Sequence, residues 1–233
     1  MTQPTDIHPV RPAGGVKLHI PNALVVARLI LASATFTMLA LYRFPDTNLW
    51  ALPAATALFI TAALTDFLDG FLARRWNAVT TFGRIMDPFA DKILVLGTVI
   101  MLAGANFALP ATEHDNSLAG TSASGMQAWM VIIILARELL VTSLRAVAES
   151  RGIDFSASLP GKIKMIAQSI GIPLILLTTA FMAHTLDNPD RVRTAHQANV
   201  IVALSMTLLT AASALPYIMR AVFAFGHDRG ART

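Results

Sequence analysis

The chain of 233 residues is 55% hydrophobic and only 14% charged, where an average soluble domain carries roughly 25% charge. That composition, with a mean hydropathy of +0.58, excludes an ordinary soluble globular domain. The absence of cysteine excludes a disulfide framework, a thiolate zinc site and a cysteine nucleophile. The net charge of +4 does not point to nucleic acid, because in a membrane chain excess Lys and Arg reports orientation.

A spanning helix needs about 20 mostly apolar residues. After a Pro- and Gly-containing tail (1–20), stretches that meet this run over 22–42, 49–73, 84–108, 126–149, 162–184 and 197–224. The first is too long, and lacks a following small-residue site, to read as a cleaved signal peptide. Polar connections fall near 116–125 and 186–193, and a basic tail (226–233) ends the chain. No internal repeat is visible. The prediction is an all-α polytopic membrane protein with six transmembrane helices in one domain over 21–225.

Counting Lys and Arg at alternating ends sets the orientation. Eleven (Arg11, Lys17, Arg74, Arg75, Arg84, Arg151, Lys162, Lys164, Arg220, Arg229 and Arg232) fall on one side and three (Arg43, Arg191 and Arg193) on the other. Both termini are therefore expected in the cytoplasm. Arg28, Lys92, Arg137 and Arg145 lie inside the expected spans.

Four carboxylates also lie where lipid is expected: Asp66, Asp69, Asp87 and Asp91. An Asp at mid-helix costs about 2.5–3.5 kcal/mol on insertion scales, so the group needs compensation. One or two alone would read as solvated charges at a helix end. The spacing argues for more. Asp66, Asp69, Gly70, Ala73 and Arg74 fall within roughly 140° of one helix face, and Gly83, Asp87 and Asp91 follow at i, i+4, i+8. A short turn makes the two helices antiparallel, so both acidic faces lie at one depth. Oxygen donors without His or Cys favour hard cations such as Mg²⁺ or Mn²⁺, and paired metals serve displacement at phosphorus. Gly70, Ala73 and Gly83 admit close approach of a substrate, or of another helix. The six histidines show no metal-ligand spacing.

The segment Asp66-x2-Asp69-Gly70-x2-Ala73-Arg74-x8-Gly83-x3-Asp87-x3-Asp91 resembles the signature of the CDP-alcohol phosphotransferase family at every defined position. The resemblance implies six transmembrane helices, a homodimer and displacement of CMP from a CDP-linked lipid or alcohol by a second alcohol. It implies Asp66, Asp69, Asp87 and Asp91 as ligands of two Mg²⁺ or Mn²⁺ ions per protomer, with Asp91 also the general base. Gly70, Ala73, Arg74, Thr80 and Gly83 then contact the CDP-diacylglycerol. Lys92 reads as a partner of these carboxylates or as a substrate contact.

Three further stretches narrow the resemblance: Pro21-Asn22-x-Leu24-x3-Arg28, Arg137-Glu138 through Thr142-Ser143-Leu144-Arg145, and Gly161-Lys162-Ile163-Lys164. They are similar to the family members that transfer the phosphatidyl group of CDP-diacylglycerol to sn-glycerol 3-phosphate. This implies a bacterial inner-membrane enzyme with a cytoplasmic active site, and Asn22 and Arg28 as further CDP-diacylglycerol contacts. Val25 and Met165 depart from the pattern, each standing where Thr is usual. A phosphorylated acceptor also needs cations. Arg137, Arg145 and Lys162 are the expected acceptor-phosphate residues, although Arg137 and Glu138 could equally pair with each other or between helices. Lys162 and Lys164 lie about 200° apart on a helix, so at most one faces inward, and Lys162 is the expected one. Inositol phosphate or phosphatidylglycerol are the alternative acceptors. A divalent-cation transporter is the alternative outside the enzymes.

Overall fold

The computed structural model describes the backbone of residues 15–46, 48, 50–76, 81–111, 117–153 and 159–226. Within the helices, the side chains of 15–21, 67, 69–76, 81–85, 87–88, 91 and 224–226 lie outside the described set. The described residues form seven α-helices and one 3₁₀ turn, with no strand. They are α1 (Gly15–Leu41), α2 (Ala51–Trp76), α3 (Thr81–Leu102), α4 (Ala128–Ser150), α5 (Leu159–Ala183), α6 (Pro189–Ala212) and α7 (Leu215–Gly226), with the 3₁₀ turn at Ala105–Phe107.

Long apolar segments become helices because a helix satisfies its own backbone polar groups where water is absent. The hydroxyls buried in the bundle follow the same rule. Thr35, Thr56, Thr98, Thr179 and Thr207 each donate to the carbonyl four residues earlier, at 2.7–2.9 Å. Stretches Asn22–Leu41, Leu159–Ala183 and Pro189–Phe223 are long and apolar enough to cross a bilayer, and Ala51–Asp66 and Lys92–Leu102 are shorter apolar helices. Ile30, Ile132, Ile170, Ile201 and Leu208 point outward. Such an apolar belt is out of place on a water-soluble surface.

α1 packs against α2 and α3, α5 against α6 and α2, and α4 against α6, α3 and α7. Phe59, Leu94, Val99, Ile172, Ile175 and Met206 form the shared core. α1 and α3 approach closely because Gly97 faces the Phe36 ring; an added Cβ would lie 2.3 Å from it.

One feature differs from the sequence expectation. The expected single span over 197–224 is broken: α6 ends at Ala212 and α7 restarts at Leu215. Pro216 lacks the N–H that would extend the hydrogen-bond ladder of α6, and it sits in the first turn of the new helix, where that N–H has no partner to lose. The polar connection before α4 is fixed to the bundle by hydrogen bonds. Ser124 donates to the Leu102 carbonyl at 2.7 Å, capping α3, and Asn199 of α6 donates to the Ala123 carbonyl at 2.9 Å. Gly125 there has φ +68°, and a Cβ on it would lie 2.5 Å from the Val200 nitrogen.

Candidate active site

α1 and α2 run antiparallel, which brings residue 28 of one beside residue 66 of the other. Arg28 Nη1 lies 2.6 Å from Asp66 Oδ1; the arginine is 0% exposed and the aspartate 31%. Arg28, expected to touch CDP-diacylglycerol, is therefore buried against a carboxylate of the motif. A buried guanidinium beside a carboxylate compensates the cost of each charge in an apolar bundle. Asn22, two turns earlier, is half-buried, and Val25 between them is in the core.

The remaining motif residues are described only through their helices. α2 is continuous through Asp69, Gly70, Ala73 and Arg74, and α3 through Gly83, Asp87 and Asp91, so their spacings translate into helical register. Their side chains, and Thr80 entirely, lie outside the described residues. Among the described side chains no group of three or more metal-ligating residues occurs. Asp66 itself fits a divalent cation: it is a hard oxygen donor, bonded through Oδ1 to Arg28 and still partly exposed.

A second polar cluster joins α3, α4, α5 and α6. Lys92 of α3, one residue beyond Asp91, donates to the Thr142 hydroxyl of α4. Thr142 in turn donates to the Glu138 carbonyl at 2.7 Å. The Glu138 carboxylate receives Lys164 of α5 at 2.5 Å and Arg137 at 3.2 Å, with all three side chains below 10% exposed. Arg137 Nε also donates to Ser213 at the end of α6, at 2.8 Å. Gln168 of α5 donates to Thr210 of α6 at 3.2 Å. The cavity that Lys92, Glu138, Lys164 and Gln168 line measures about 20 Å³, room for about one water. It is a narrow polar pocket, lined also by exposed Met165 and Ser169.

This geometry revises two expectations. Lys164, not Lys162, is the inward lysine, because Glu138 is there to neutralise it, and Lys162 stays exposed. Arg137 is taken up by Ser213 and Glu138, the pairing that competed with an acceptor role. Arg145 is different. It is exposed at the end of α4, and its Nη2 donates to the Tyr217 hydroxyl at 2.8 Å. Sequence reasoning passed over Tyr217; its one signal was a rare tyrosine, one of two in the chain, directly after Pro216.

The profile of the CDP-alcohol phosphatidyltransferase family matches residues 18–225, which takes in α2 to α6 and nearly all of α1 and α7. The chain belongs to this family. Among curated relatives it is 36% identical over 167 residues to the CDP-diacylglycerol–glycerol-3-phosphate 3-phosphatidyltransferase of Bacillus subtilis, covering 68% of this chain and 77% of that one. It is 34% identical to the Escherichia coli protein of the same name, over 69% and 78% of the two chains. A probable phosphatidylglycerophosphate synthase of Mycobacterium tuberculosis is 32% identical over 91% and 85%. As a phosphatidyltransferase of this family, the chain is a transferase of phospholipid synthesis, and the Arg28–Asp66 pair sits at the opening of the family's aspartate motif.

Proposed function

We propose that this protein transfers the phosphatidyl group of CDP-diacylglycerol to sn-glycerol 3-phosphate, releasing CMP and phosphatidylglycerophosphate. The relatives' names support the substrates. The observation that carries the reading for this chain is the Lys92–Thr142 hydrogen bond. It ties the helix turn after Asp91 to α4 three residues before Arg145, which supports reading Arg145 as the cation that meets the acceptor phosphate.

In this reading Asp66, Asp69, Asp87 and Asp91 hold two Mg²⁺ or Mn²⁺ ions, which when bound supply positive charge to the CDP diphosphate. Asp91 accepts the proton of the attacking hydroxyl as the new O–P bond forms and the bond to CMP breaks. Arg74 stabilises charge on the departing phosphate, and Asn22, Gly70, Ala73, Thr80 and Gly83 shape the nucleotide site. Arg28 acts through Asp66 rather than on the lipid. Arg145 and Lys162, both exposed, bind the acceptor phosphate. The protein works as a homodimer with six crossings in a bacterial inner membrane, its termini and active site facing the cytoplasm.

CMP release from CDP-diacylglycerol by the purified protein, measured across acceptors, tests this. Divalent-cation-dependent release is expected to be fastest with sn-glycerol 3-phosphate. Preference for inositol phosphate or phosphatidylglycerol would overturn the acceptor, and no CMP release with any acceptor would overturn the reaction.

A further inference from the structure

Tyr217 is 1% exposed although it carries a hydroxyl. Buried tyrosines find a partner for that group, and here it accepts from Arg145 Nη2 at 2.8 Å. The same guanidinium stands over the ring, its Cζ 5.2 Å from the centroid, within cation–π range. The Arg137 guanidinium approaches the same ring at 6.0 Å but is buried and bonded to Ser213 and Glu138. The two arginines of α4 thus differ in kind. One is consumed in the bundle. The other is gripped from one side by α7 and remains exposed on the other.

We propose that Tyr217 is a positioning residue for acceptor binding, holding Arg145 oriented so that its outward N–H groups meet the acceptor phosphate. The inference rests on the acceptor reading above and adds to it why the helix breaks at Ser213–Ala214. The restart at Leu215 sets Tyr217 against α4. A long arginine side chain loses rotamer freedom when it is held in one geometry. Fixing it during folding, rather than on binding, leaves the guanidinium ready for a charge-assisted, bidentate phosphate contact.

Steady-state kinetics of three variants in the full-length enzyme test this. Tyr217→Phe keeps the ring and loses only the hydroxyl bond. It should raise KM for sn-glycerol 3-phosphate about three- to tenfold, the scale of one such bond, with kcat and KM for CDP-diacylglycerol within about twofold. Arg145→Ala should raise the same KM further. The double variant should be no worse than Arg145→Ala alone, because Tyr217 acts through Arg145. If Tyr217→Phe is not recovered folded, Arg145→Lys, which keeps the charge and loses the planar fork, should give the same selective rise. A Tyr217→Phe enzyme with unchanged KM, or with kcat lowered and both KM values raised together, overturns the positioning role while the acceptor site stands if Arg145→Ala still raises KM. An unchanged KM in Arg145→Ala overturns both readings.

Discussion

Arg28 of α1 and Asp66 of α2 form a 2.6 Å ion pair in which the cation is wholly buried and the carboxylate keeps one side open. The arrangement holds a motif carboxylate from one side and leaves its other side exposed. A planar guanidinium does this better than an ammonium, because its forked donors fix the carboxylate plane.

Arg28→Met should lower stability by about 3 kcal/mol, the lower end of the range for breaking a buried pair, since Asp66 is partly exposed. Arg28→Lys should cost less but still weaken Mn²⁺ binding. Thermal unfolding in a fixed detergent and Mn²⁺ titration followed by electron paramagnetic resonance measure both. An unshifted unfolding temperature in Arg28→Met would mean that the pair contributes nothing.

Asp91→Asn should lower transfer at least about a hundredfold, the scale of a lost general base, and still bind CDP-diacylglycerol. Asp66→Asn should instead lose divalent-cation affinity. Turnover and cation titration of the two variants separate the roles. Near-normal turnover in Asp91→Asn removes it from proton transfer.

Glu138→Gln should be among the costliest conservative changes, at about 3–5 kcal/mol, because it strands buried Lys164 beside Arg137. Adding Lys164→Met should recover much of that loss. Unfolding of the single and double variants checks it, and additive losses would show that the two charges do not depend on each other.

With no native cysteine, single-cysteine labelling reads the topology directly. In intact cells a membrane-impermeant maleimide should label Thr121→Cys and spare Ser150→Cys until the membrane is opened. The reverse pattern would invert the orientation.

Helix existence was legible in the sequence because an apolar run of about 20 residues has few other ways to satisfy its backbone in lipid. The helical register of the aspartate motif was legible for a similar reason: α2 and α3 run through it unbroken, so spacing alone sets which residues share a stripe. The 200° between Lys162 and Lys164 correctly allowed only one to face inward. Choosing Lys164 required Glu138, which lies on another helix. The partner of Arg28, the grip of Tyr217 on Arg145 and the docking of Ala123 on Asn199 likewise join residues 38 or more apart in the chain. In a soluble helix the apolar stripe reveals the inward face. In a membrane helix both the lipid-facing and the bundle-facing sides are apolar, so the rotation of each helix, and with it the partner of every buried charge, was decided only by packing in the folded bundle.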